Sequence, residues 1–325
     1  PSPGRAPAAP AARRDDAAER GRALVVARLA RGEPLAGLLL AGADLSDLDL
    51  RHADLTRSIL RGARLVCARL EGARLDGADL SGACLDGASL ARASLREADL
   101  AGASARGAVL DGACLEDAVL ERGALEGASL RGADLIGADL TEVDLRRAWL
   151  DEARLDDAEL ARARLGDAKL EAASLVRASL EQADASHARF ARADLTELRA
   201  RGARLEGAKL ADVRAPRAQL TGAILDQADL ARADLTRANL VEASLLGAVL
   251  DRCALRSARL TRAKLVAAKA RRVDAMEACL EGADLSHADL RGASLFGAEL
   301  AGAVLEGADL EGADLGRTKH AELLA

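Results

Sequence analysis

The chain has 325 residues, a net charge of −6 from 46 basic and 52 acidic side chains, and a mean hydropathy of zero. It holds one Trp, two Phe and no Tyr, too few aromatics for the core and site of a globular enzyme or for a surface that stacks nucleic-acid bases. No run of about 18 apolar residues occurs, so no membrane span is expected, and no secretory signal is visible.

Residues 1–14 are rich in Pro, Ala and Arg and are expected to be disordered. The chain opens Pro1-Ser2-Pro3 without a methionine and reads as a piece of a longer protein. Asp15 and Asp16 predict the start of a helix over 15–32, with acids at its positive end. Leu24, Val25, Arg28 and Leu29 give it an apolar side, and Gly32 and Pro34 end it. Its expected task is to cover the open N-terminal end of a repeat array.

From Leu35 to Leu315 one register repeats every five residues without interruption. Of its 57 positions leucine fills 50, alanine six (Ala105, Ala185, Ala200, Ala215, Ala270, Ala275), and Phe190 the last. Alanine dominates two residues before each. On an α-helix residues five apart lie about 140° out of phase, and on a flat strand they point to opposite faces. The chain must therefore turn a corner every five residues, sending a leucine and a small residue inward and three residues outward. Leu198, Val213 and Val273 precede Ala200, Ala215 and Ala275 by two residues, which predicts volume compensation in the core. The consecutive Ala270 and Ala275 make 268–277 the expected place for a kink. Glycines such as Gly77, Gly82 and Gly87 read as corner residues and not as a phosphate loop. After Leu315 the pattern stops at Gly316, and 317–325 reads as a tail ending in Leu323 and Leu324.

The unit Ala133-Asp134-Leu135-Ile136-Gly137, followed by Ala138-Asp139-Leu140, resembles the pentapeptide-repeat proteins, and the resemblance spans roughly 33–316. It implies an all-β chain, a right-handed quadrilateral parallel β-helix with four units per coil and about fourteen coils. At strand spacing of about 4.8 Å the rod would be on the order of 65 Å long. The entry segment from Arg28 to Gly37 resembles the start of the repeat region in proteins that accompany bacterial type VI secretion spikes. Both resemblances imply a bacterial protein.

No catalytic constellation stands out, and a non-enzyme without cofactor is expected. Cys67, Cys84, Cys114, Cys253 and Cys279 are odd in number and scattered, so they suggest no disulfide framework and fit a reducing, cytoplasmic setting. His52, His187, His287 and His320 are too far apart for a metal site.

What remains is the outer surface. With 20 residues per coil, the side centred on Leu50, Leu70 and their successors carries an excess of basic residues, and the other three sides are net acidic. On the basic side Lys169, Arg189 and Lys209 should form one ladder. Arg232, Arg252 and Arg272 should form another, with Arg192 two coils earlier. Met276 and Phe296 should stack as exposed apolar neighbours and make a contact at the C-terminal end, with the tail or with a second copy in a homodimer. These features predict a scaffold that binds a protein partner. The alternative is a DNA mimic that binds gyrase or topoisomerase IV, as the quinolone-resistance members do. That asks for dense negative charge, which the balanced surface lacks. Direct nucleic-acid binding is not expected, because the basic charge is dilute.

Overall fold

The structure is a computed structural model that describes residues 11–319, with side-chain surroundings from residue 18. It contains one helix, α1 (Ala11–Arg31), followed from residue 36 by a unit repeated every five residues: two turn residues, an inward small residue, a bridge residue and the core residue. Every bridge is parallel and joins residue i to i+20, from Leu39 with Ile59 to Glu299 with Lys319. Four units therefore close one coil. Each strand is reduced to a single bridged residue because a corner follows at once.

Within the interior coils the backbone leaves one amide per unit unpaired. Around Leu140, the Leu140 N–H donates to Glu159 O at 2.7 Å and the Glu142 N–H to Ala161 O at 2.9 Å, both one coil ahead. Val143 N–H closes the turn on Leu140 O at 3.2 Å, and Asp144 N–H donates back to Gly123 O at 2.9 Å. The first turn residue, Thr141, has no backbone acceptor. Its N–H is taken by the Asp139 carboxylate two residues earlier, at 3.0 Å. The Asp in Ala-Asp-Leu is thus an amide cap as well as a surface charge.

The second turn residue takes a positive φ throughout. Glycine fills this place in many units, but 34 non-glycine residues hold φ between 52° and 63°. Glycine is therefore favoured at the corners and not required; each substitute carries a left-handed conformation that costs about 1–2 kcal/mol.

Leucine, alanine and Phe190 fill the interior; Leu140, Leu145 and Phe190 are wholly buried. Cys253 is buried at the small-residue place, as expected, and burial pushes its thiol far above the usual range. Compensation at the alanine sites is incomplete. An apolar cavity of about 20 Å³ lies among Phe190, Leu198, Val213 and Ala215, and a second of about 10 Å³ beside Ala103 and Ala105. Both are near the size of one water, and without polar partners neither holds it favourably. The expected kink at 268–277 does not interrupt pairing: Lys269 bridges Asp289 and Asp274 bridges Ser294 in the same register.

Helix α1 starts earlier than residue 15, so Asp15 and Asp16 lie inside it and do not cap it. It ends in a Schellman motif: Glu33 N–H donates to Arg28 O at 2.9 Å and Gly32 N–H to Leu29 O at 3.1 Å, with Gly32 at φ 65°. The helix seats on the first coil through Gly21, where a Cβ would come within 2.6 Å of Ala43 Cβ, and through buried Val25. Arg22 Nη1 donates to Ser46 O at 2.8 Å. Leu24 and Leu29 face outward and are exposed, because Gly21, Arg22 and Val25 already form the packing side. Residues 1–10 and 320–325, including the expected apolar tail and His320, lie outside the described residues.

Candidate interaction surface

The register of 20 turns sequence spacing into columns. Lys169, Arg189 and Lys209 bridge in succession and form the expected ladder, which begins one coil earlier at Trp149. Like charges at strand spacing repel, and the neighbours relieve this. Lys169 Nζ lies 3.2 Å from the Trp149 ring centroid and the Arg131 guanidinium 3.8 Å from it, so the indole takes two cations. Arg189 pairs with Glu171 at 2.6 Å.

Arg192, Arg232, Arg252 and Arg272 occupy one corner, all exposed and all at positive φ. They are not equivalent. Arg232 makes a two-pronged contact with Asp212, both bonds at 2.6 Å. That contact, with the nearby Arg192 charge, holds the Asp212 carboxyl below its ordinary range. Arg252 and Arg272 make no side-chain hydrogen bond or ion pair among the described residues, so they are the available end of the column.

Met276 and Phe296 share a column but are half-buried and not exposed. Phe296 is covered by the next coil: it sits against Gly316, where a Cβ would come within 3.0 Å of the ring, and Arg317 lies 5.5 Å from its centroid. The coil that follows, and not only the tail, supplies its contact.

Sorting charge by side missed a feature that runs around the rod. Residues 252–272, one coil and one residue more, hold eight basic side chains and no acid: Arg252, Arg256, Arg259, Arg262, Lys264, Lys269, Arg271 and Arg272. A window of one coil length along the sequence would have found it. Flanking coils neutralise part of it, as in the Arg271–Asp289 pair at 2.5 Å. Spacing of 18 to 20 also gathers Cys114, Glu116 and Asp134, whose ligand atoms lie within 4.8 Å of one another. Arg96 pairs with Glu116, and Arg154 meets Asp134 at 2.9 Å, so arginines already supply counter-charge to these carboxylates.

No described helix is long and apolar enough to cross a membrane. The chain matches the family described as pentapeptide repeats (8 copies) over residues 43–212, 217–269 and 278–317. No curated protein matches it. Among solved structures it is similar to HetL, a pentapeptide repeat protein involved in heterocyst differentiation regulation from the cyanobacterium Nostoc, at 29% identity over 90% of this chain and 94% of that one, with a TM-score of 0.25. QnrB1, a plasmid-mediated fluoroquinolone resistance protein, is 18% identical over 63% and 93% of the two chains, with a TM-score of 0.28. A pentapeptide repeat protein of the Arabidopsis thaliana thylakoid lumen is 36% identical over 34% and 71%, with a TM-score of 0.19. With its matches running through most of the repeat and every bridge in the four-unit register, the chain belongs to the pentapeptide-repeat family, whose fold is a right-handed quadrilateral β-helix.

Proposed function

We propose that the chain is a non-catalytic scaffold for protein–protein interaction, a rod of about fourteen coils that presents charged columns at fixed spacing. The observation that carries this reading is the corner column ending in Arg252 and Arg272, two exposed guanidinium groups with no ion pair or side-chain hydrogen bond among the described residues. Such groups suit an acidic partner surface. The free thiols suit a reducing compartment, for which we propose the cytoplasm. A role beside a bacterial type VI secretion spike rests on the entry segment from Arg28 to Gly37 alone. A contact between copies at the C-terminal end would have to use surface other than the covered face of Phe296.

The test is affinity capture with wild type and with Arg232→Glu/Arg252→Glu/Arg272→Glu. A partner retained by wild type and lost by the variant, with melting temperature unchanged, supports the reading; equal capture by both removes this column from it. The gyrase reading is disfavoured by the stretch 252–272, whose charged residues are all basic where a DNA mimic would present acids. Inhibition of gyrase supercoiling at stoichiometric concentration would reverse that ranking.

A further inference from the structure

A second corner of the rod carries a groove outside the two basic columns. It has a volume of about 580 Å³ and runs over successive coils, with Arg214, Arg217, Arg237 and Arg256 along its walls. The side of the rod to which it belongs is net acidic as a whole, so the run of arginines is a local reversal. Between Arg214 and Arg259 that corner and its edges hold five arginines and a single acid, Asp234, whose Oδ1 is engaged by the Thr236 amide at 3.0 Å. All the cations are arginine, whose planar fork matches a carboxylate in two-pronged geometry.

The arginines divide into held and free. Arg214 pairs with Asp194 at 2.8 Å and Arg217 with Glu197 at 3.1 Å, yet both side chains stay more than 60% exposed. Arg256 pairs with Asp274 and is similarly open. Exposed pairs of this kind are worth about 0–1 kcal/mol each, so an incoming carboxylate exchanges with the resident one at little cost. Arg237, between them, has no ion pair or side-chain hydrogen bond among the described residues, and neither has Arg259 on the adjoining face.

We infer that this groove takes a short acidic peptide segment of a partner protein, an inference that rests on the scaffold reading. Its dimensions select the class. The basic stretch covers three coils, on the order of 10–14 Å, which matches three or four residues of extended chain at about 3.3 Å each. Glu197 stands at one end and Glu277 at the other, so a continuous phosphodiester backbone would leave the arginines and meet like charge in both directions. The groove contains no aromatic side chain on which a base could stack. Pro216 and Met276 line it instead and offer aliphatic surface to a peptide.

The experiment is fluorescence anisotropy with a labelled four-residue peptide of alternating Glu and Ala, at low ionic strength and at 0.15 M salt. A single-stranded oligonucleotide of equal length and a Lys-for-Glu peptide are measured beside it. Wild type is expected to bind the Glu peptide saturably, more weakly at higher salt, and to ignore the Lys peptide. Arg217→Glu/Arg237→Glu should lower that affinity at least tenfold with melting temperature unchanged, and Arg237→Ala, which removes no ion pair or side-chain hydrogen bond among the described residues, should lower it severalfold. Equal affinity for wild type and both variants overturns the proposal. So does tighter binding of the oligonucleotide that the same variants abolish. If the Glu peptide fails to bind wild type, the groove assignment falls, while the scaffold reading stands or falls on partner capture by the Arg232, Arg252 and Arg272 variant.

Discussion

Asp226 reaches across one coil to Ser244: its Oδ1 accepts the Ser244 hydroxyl at 2.5 Å and the Leu246 amide at 3.0 Å. Leu246 is a first turn residue, the one whose amide the backbone leaves unpaired, and the residue two before it is Ser in place of the usual Asp. The missing cap is supplied from the coil before. The same exchange recurs at Asp86 with Ser104 and Arg106, and at Asp111 with Ser129 and Arg131. Residue 216 resolves the problem differently: Arg214 stands two before it and Thr196 one coil before it, neither a carboxylate, and Pro216 has no N–H to cap.

Asp226→Ala should therefore destabilise the rod by about 0.5–2 kcal/mol, the range for loss of an amide cap. Asp226→Asn, which keeps a carbonyl acceptor, should recover most of it. Denaturant titration of the three proteins decides; equal midpoints for wild type and the alanine variant would show that the inter-coil cap carries no stability.

Leu140 is wholly buried among leucine and alanine. Leu140→Ala should cost about 2–5 kcal/mol through the cavity it leaves. Leu140→Asp should prevent folding, because the column offers no partner for a buried charge. A wild-type circular-dichroism melt for the aspartate variant would contradict the inward placement of Leu140.

The void beside Ala105 is apolar, and Ala105 occupies a place that leucine fills in most units. Ala105→Leu should raise stability by about 1–2 kcal/mol through added apolar burial. Calorimetry showing a lowered melting temperature would mean that the surrounding coils have closed on the alanine and are overpacked by leucine.

Ala172 holds φ 56° at an exposed corner. Ala172→Gly should relieve about 1–2 kcal/mol of left-handed strain and lose about 0.4–1 kcal/mol through the freer unfolded chain, for a small net gain. A destabilised glycine variant in chemical denaturation would show that this corner is not strained.

Acid should weaken the rod over a defined window. The Arg51 guanidinium hydrogen-bonded to Asp49 lowers that carboxyl to about 2, and Thr56 and Ser286 lower Asp54 and Asp284 in the same direction. For carboxyls depressed on folding, the stabilising contribution is complete above the unfolded value near 4 and is lost as pH falls through the folded value. Melting temperature should thus hold from neutral pH to about 5 and fall between about 4 and 2. A flat profile across that interval would remove the caps and pairs from the stability of the fold.

The sequence by itself determined the fold and the columns, because the solenoid is nearly one-dimensional. A core residue every five positions sets the corners, the family resemblance that the unit carries implies four of them per coil, and the resulting register of 20 puts Lys169 beside Arg189 and Arg252 beside Arg272. The tertiary structure decided what those residues do, since this depends on side-chain reach between coils. It engaged Arg232 with Asp212 and left Arg252 free, laid Lys169 on Trp149, and covered Phe296 with Gly316 and Arg317. It turned α1 so that Val25 is buried while Leu24 and Leu29 face outward, a choice fixed by the close seat of Gly21 on Ala43. The caps lie between these two levels: their spacings of two and twenty were present in the sequence, but only the backbone pairing shows which amide in each unit lacks an acceptor.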